Sequence, residues 1–143
     1  MHPLSIPAVH KADVAVARST ALRFARAHGA VERSAQEFAI IAGELASNTV
    51  RHAGGGVLEL TSDDATGFVS VCSIDRGSSG PLPAGLRARG GDAPVIVEAD
   101  GSVRDGLGCG LGAIRRLGDF WRVSRRVDGA LEVRVACRVR SLP

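Results

Sequence analysis

The stretch Ile40-Ile-Ala-Gly-Glu-Leu-Ala-Ser-Asn-Thr-Val-Arg-His-Ala53 decides how this chain is read. Phe38, Ile41, Ala42, Leu45, Ala46, Thr49 and Ala53 recur at the i, i+3, i+4 spacing of a core-facing helix. Glu44 and Asn48 edge that stripe. Four residues apart on a helix, their side chains lie one above the other, and Arg51 and His52 carry the row a further turn. An isolated Glu-x-x-x-Asn is ordinarily a solvated helix edge. A polar row beside an apolar stripe also suits the wall of a cleft, and the rest of the chain has to supply the other wall.

Working outward, the residues before about His10 contain two prolines and read as a short edge strand or a loose arm. Asp13 is a candidate cap for a helix running to about His28, with Val14, Ala17, Ala21, Phe24 and Ala25 on one face and Gly29 as its stop. The Glu44/Asn48 helix starts near Glu32 and is halted by Gly54-Gly-Gly56. The period then changes from helical to alternating. Val57–Thr61 and Phe68–Ile74, separated by the turn-rich Ser62–Gly67, form a hairpin. From Asp75 to Gly106 runs a segment rich in Gly, Pro, Ser and Ala, long enough to be a functional lid or a disordered loop, with a short strand at Val95–Val97. A helix is expected over Gly110–Gly118, with Leu111, Ile114 and Leu117 inward. Phe120–Val127 and Ala130–Val139, turned by Asp128-Gly129, make a second hairpin. Its alternation puts Leu131, Val133, Val135, Cys137 and Val139 on one face and Glu132, Arg134, Arg138 and Arg140 on the other. The order predicts an α+β two-layer sandwich, with helices on one face of a mixed, mostly antiparallel sheet.

A chain of 143 residues makes one domain, residues 1–143. Its 45% hydrophobic and 23% charged residues are ordinary for a folded soluble protein. No apolar run is long enough to span a bilayer and the N-terminus lacks signal-peptide character, which predicts a cytoplasmic location away from membranes. Cys72, Cys109 and Cys137 are odd in number and without a C-x-x-C pair, so buried thiols are expected rather than disulfides or zinc ligands. The formal charge of +3 allows an acidic partner. Only 3% of residues are aromatic and no helix-turn-helix pattern is present, so nucleic acid ranks low among partners.

Two glycine motifs supply the second wall. Asp75-Arg-Gly-Ser-Ser-Gly80 directly follows a strand; a carboxylate there accepts from an exocyclic amine, and a glycine beside it admits a flat base. In a plain turn the same residues are common. Gly106-Leu-Gly-Cys-Gly-Leu-Gly112 alternates glycines at a helix entrance, exposing N–H groups to phosphate oxygens. A Rossmann loop is excluded because no strand precedes it in a β-α-β unit, and a Walker loop because no Gly-Lys-Ser/Thr exists.

Glu44-Leu-Ala-Ser-Asn48, Asp75-Arg-Gly77 and Gly106-Leu-Gly-Cys-Gly-Leu111 resemble, in order and separation, the N, G1 and G2 boxes of the Bergerat-fold (GHKL) ATPases. Within them the chain is similar to the bacterial switch kinases of the RsbT and RsbW type, RsbT-like proteins in particular, from Asp13 to Val139. The resemblance implies that Glu44 is the general base, that Asn48 binds Mg²⁺, and that residues 78–104 are an ATP lid. It implies nucleotide contacts from Asn48, Arg51, His52, Asp75, Gly77 and Gly80, and phosphate contacts from Gly106, Leu107, Gly108, Cys109, Gly110 and Leu111. Two positions depart from the family pattern. The second glycine of Asp-x-Gly-x-Gly is displaced by one to Gly80, and the Gly-Thr of the last hairpin is Gly129-Ala130.

The function this implies is an ATP-dependent serine/threonine kinase that phosphorylates a STAS-type antagonist in stress or sigma-factor regulation. The competing expectation is a non-catalytic module that holds a sigma factor, phosphatase or similar output protein in a nucleotide-dependent way. A homodimer is among the assemblies this reading allows.

Overall fold

The computed structural model describes residues 3–52, 54–75, 96–97, 103–104 and 117–139. The elements are β1 (Leu4–Ala8), α1 (Lys11–Ala27), α2 (Glu32–His52), β2 (Gly56–Asp63), β3 (Phe68–Asp75), β4 (Ile96–Val97), β5 (Val103–Arg104), β6 (Phe120–Arg125) and β7 (Leu131–Arg138). Among the described residues these strands form one sheet in the order β1-β2-β3-β7-β6-β4-β5. Its pairings are antiparallel except β4 with β6, which is parallel. Both helices pack on one face, giving the two-layer, mixed and mostly antiparallel architecture that the sequence predicts.

Alternation explains which face is covered. Leu58 and Leu60 of β2, Val69 and Val71 of β3, and Val133 and Val135 of β7 all turn inward and are buried. Against them α2 lays Phe38, Ile41, Leu45 and Ala46, each 0–1% exposed. Burying a side chain of the Leu, Ile or Phe size stabilises by roughly 1.5–3 kcal/mol relative to leaving it in water. α1 adds Ala17, Ala21 and Ala25, a stripe of fully buried small residues at i, i+4, i+8. Small side chains let α1 lie close on α2. At Gly43 of α2 an added Cβ would fall 2.6 Å from Cγ of Arg18, so the glycine makes room for the arginine stem.

Several local expectations are refined. α1 begins at Lys11, two residues before the expected cap, and Asp13 sits inside its first turn. The Asp13 carboxylate accepts from the backbone N–H of Val9 and of His10, each at 2.9 Å, which closes the β1–α1 corner and holds its carboxyl below the usual range. The far end closes as a Schellman motif: Gly29 takes φ 86°, its N–H reaches the Arg26 carbonyl at 3.1 Å, and Ala30 N–H reaches the Ala25 carbonyl at 3.0 Å. The N-terminal residues form an edge strand, where Pro7 costs no ladder bond that a central strand would need. The last hairpin turns earlier than expected. Arg126 N–H donates to the Ala130 carbonyl at 2.7 Å and Gly129 takes φ 89°, so Val127 stands at the tip, 92% exposed, rather than in the strand.

Two short strands lie within the 78–104 segment. β4 coincides with the expected strand near Val95–Val97, while β5 was not expected. Two residues are too short for an alternation signal, and Val103 and Arg104 form a strand only by pairing with β4, which in turn pairs with β6. The helix expected over Gly110–Gly118 lies outside the described residues apart from its last two. No helix among the described residues is long and apolar enough to cross a membrane.

Candidate functional site

α2 positions the polar row, and tertiary packing gives its members opposite surroundings. Glu44 is exposed and makes no hydrogen bond or ion pair among the described residues. Asn48, one turn further, is only 7% exposed, and its Nδ2 finds no hydrogen-bond partner among the described residues. Leaving a buried amide donor unmet costs about 1–3 kcal/mol. The next residue, Thr49, is equally buried, but its hydroxyl donates to the Leu45 carbonyl at 2.8 Å. Of these two neighbours only Asn48 is left wanting. Turned half a revolution about its Cβ–Cγ bond, the same amide presents an oxygen of nearly identical shape to the same space.

Asp75 ends β3 and is half-buried. Its Oδ1 accepts from the backbone N–H of Leu131 at 3.0 Å, which ties the strand end to the start of β7 across 56 residues of sequence. Directly across the ladder stands Gly56. A Cβ there would lie 2.2 Å from the Ile74 carbonyl oxygen, 2.9 Å from Asp75 Cα and 2.9 Å from Thr49 Cγ2. Gly56 therefore lets the turn of α2 that bears Asn48 and Thr49 close down on the strand end that bears Asp75. The fold thus brings the first motif and the start of the second into one neighbourhood.

Arg51 is exposed on the following turn of α2. The side chain of His52, and Gly77, Gly80, Gly106, Leu107, Gly108, Cys109, Gly110 and Leu111, lie outside the described residues. Sequence reasoning missed two contributors. Gly56 reads only as part of a helix stop, although a triple glycine before a strand is a signal for close backbone approach. The Leu131 N–H has no residue signature, because every non-proline residue carries the same donor.

Chemically, the arrangement offers an acceptor carboxylate held in place by a backbone donor, a buried amide with an unmet end, and an exposed carboxylate one turn away. Among the described residues no group of three or more His, Cys, Asp or Glu side chains converges as a metal site. A cation at Asn48 would therefore take most of its oxygen ligands from elsewhere, which suits Mg²⁺ shared with phosphates. Burial pushes the Cys72 thiol up to about 11 and the Cys137 thiol up to about 12, which disfavours the nucleophilic thiolate at both.

The fold is that of a two-layer α+β domain, and comparison with known proteins places it. Residues 7–137 match the model of the histidine kinase-like ATPase domain, and the chain belongs to that family. Among solved structures it is similar to the RsbU and RsbW domains of Rv1364c from Mycobacterium tuberculosis, with a TM-score of 0.63 at 16% identity. The match covers 99% of this chain and 34% of that one, so this chain spans about a third of that protein's length. At this identity the likeness speaks for the fold. No curated protein matches the sequence significantly.

Proposed function

We propose that this chain is an ATP-dependent serine/threonine protein kinase of the RsbT and RsbW type, RsbT-like within that group. In this reading it acts in the cytoplasm as a partner switch, phosphorylating a STAS-type antagonist in bacterial stress or sigma-factor regulation. The observation that carries the proposal is the pairing on α2 of a buried Asn48 amide, its Nδ2 without a partner among the described residues, with an exposed Glu44 carboxylate likewise without one there, one turn apart. A core-packing role explains neither residue. Family membership and the order of the three motifs support the ATP part, and the RsbW domain in the structural neighbour supports the switch-kinase part.

Asp75, steadied by Leu131, accepts from the exocyclic amine of adenine, which orients the nucleotide with its phosphates toward α2. When bound, Mg²⁺ neutralises phosphate charge, and the Asn48 amide oxygen is the protein ligand that would hold it. Glu44 stands at the edge where a partner's serine or threonine hydroxyl arrives. Its carboxylate takes the hydroxyl proton as that oxygen bonds to the γ-phosphorus and the bond from γ-phosphorus to the bridging oxygen breaks, leaving ADP. Arginines 87, 89 and 104 are candidates to compensate charge from the lid.

A second reading is favoured by Ala130, which is 4% exposed beside Leu131 and has no hydroxyl to offer a base. With a weaker base site the chain would bind nucleotide and hold a sigma factor, phosphatase or similar partner without transferring phosphate. One experiment separates the two. Glu44→Ala is expected to keep Mg-ATP affinity while losing on the order of 10²–10⁴-fold in phosphate transfer to a confirmed STAS-domain partner. Equal transfer rates reject the general-base role. Tight ATP binding with no transfer by the unmodified protein favours the binding module.

A further inference from the structure

Both helices cover one face of the sheet, and the register sets out on the other face a group of side chains that the core does not use. Arg122 of β6 stands directly opposite Arg134 of β7. Like charges opposite each other on neighbouring strands destabilise a sheet, and among the described strand pairings this is the only one that joins them. Both arginines are exposed, and neither makes a hydrogen bond or ion pair among the described residues. Arg23 of α1 is exposed as well, but it stands singly in water. The nearby carboxylates do not neutralise the pair. Glu132 faces Arg126 at 3.7 Å and accepts from the Ser124 hydroxyl at 3.5 Å, and Glu59 lies two strands from Arg134, beyond Cys72.

One step back along β6, the same face carries the most exposed phenylalanine. Phe120, 65% exposed, reaches across β7 over the small Ala136 to the half-buried Phe68, ring centroids 5.6 Å apart. The Arg138 guanidinium lies 4.9 Å from the Phe68 ring centre and steadies that ring. An aromatic platform therefore adjoins an arginine fork.

We infer that this face binds a 5′-nucleotide, with its phosphate between Arg122 and Arg134 and its base stacked on Phe120. A phosphate between the two guanidiniums replaces their repulsion by two charge-assisted attractions. Phe120 and Arg122 are two residues apart on one strand, roughly 6.8 Å, a span that the sugar of a nucleotide bridges between base and phosphate. An anion alone leaves the exposed ring unexplained, and an apolar partner leaves the arginines opposed. A nucleic-acid strand suits the face less well. Asp119 immediately precedes Phe120 and Asp63 stands opposite Phe68, so carboxylates border the platform where further phosphates of a strand would pass. The face lies away from α2, so the inference does not rest on the kinase reading.

The test is calorimetric titration of the full chain, without Mg²⁺, by CMP, cytidine and inorganic phosphate, a pyrimidine being chosen because the site proposed at Asp75 takes adenine. CMP is expected to bind at least about tenfold more tightly than cytidine or phosphate, with affinity falling as salt rises. Phe120→Ala should bring CMP down to the level of phosphate. Arg122→Gln with Arg134→Gln should abolish CMP binding and, with the opposed charges gone, raise the thermal midpoint of the ligand-free chain at low salt. Asp75→Asn should leave CMP binding unchanged. CMP no tighter than phosphate, CMP affinity unchanged in either the phenylalanine or the arginine variant, or a ligand-free midpoint that does not rise overturns the inference. So does a single-stranded oligonucleotide that binds where CMP does not, or a dimer in sedimentation that Phe120→Ala dissolves, which would give the face to a second copy of the chain. Absence of Mg-ATP binding with CMP binding intact would count against the kinase reading alone.

Discussion

Asn48→Leu is the sharpest test of how the site was read. Leucine has the same branched set of four side-chain heavy atoms as asparagine, though bulkier, and no polar atoms, so it removes the buried Nδ2 that finds no partner among the described residues. Relief of an unmet buried donor is worth about 1–3 kcal/mol, and additional apolar burial at a position only 7% exposed adds to it. The nucleotide-free protein is therefore expected to become more stable. For a domain of this size, about 2–4 °C in Tm accompanies each kcal/mol, so the midpoint should rise by roughly 2–12 °C. Saturating Mg-ATP should stabilise the two proteins unequally. For a ligand at a hundred times its Kd the unmodified chain gains about 2.7 kcal/mol, whereas the leucine variant should lose the magnesium-dependent part of that gain. Thermal scans of both proteins with no ligand, with ATP and EDTA, and with Mg-ATP give all three quantities. A fall of more than about 1 kcal/mol without ligand would show that the amide is satisfied in the folded chain, and the functional reading of Asn48 would lose its footing.

Asp75→Asn can keep the bond from Leu131 N–H through its amide oxygen, so the fold should survive; adenine nucleotides should bind about 10–100-fold more weakly by calorimetry, the cost of replacing a charged acceptor. Unchanged affinity would remove Asp75 from the base site. Gly56→Ala drives a methyl to 2.2 Å from a backbone oxygen and against Thr49, and should cost more than about 3 kcal/mol in urea unfolding; a cost under about 1 kcal/mol would mean that α2 does not close on β3 this tightly. Glu32, bonded first by Arg26 and then by Gln36, has its carboxyl lowered from 4.5 to about 2. Because the folded value is the lower one, this stabilisation is complete above pH 4.5 and is lost as pH falls toward 2. Glu32→Gln should therefore flatten the stability profile in that window and leave its shape above pH 5 unchanged, as followed by circular dichroism at fixed urea. A profile still steep between pH 4.5 and 2 would assign acid sensitivity elsewhere.

The sequence by itself determined the layers and most of the elements. α2 is legible because Phe38, Ile41, Leu45 and Thr49 repeat at helical spacing and a triple glycine ends them. The two hairpins are legible because period-two alternation flanks Gly67 and Gly129, each a glycine with positive φ in the connecting turn. Local signals of this kind depend on a few neighbouring residues, which is why they survive in one dimension. β5 shows the limit: two residues carry no period, and Val103 and Arg104 are a strand only because they pair with Val97 and Ile96 of β4, which is itself held by β6.

The site divides along the same line. Spacing alone put Glu44 and Asn48 on one edge of a helix, yet it could not say that one would be exposed and the other enclosed, nor that Thr49 beside it would be satisfied locally. Those outcomes depend on how closely α2 approaches the end of β3, and Gly56 sets that distance from the opposite strand. The hold on Asp75 by the Leu131 N–H and the contact of Phe68 with Phe120 are likewise products of distant segments meeting. Residue type names the chemistry a side chain can perform, but burial and partnership arise only between residues that the chain brings together from afar, so only the tertiary structure could decide them.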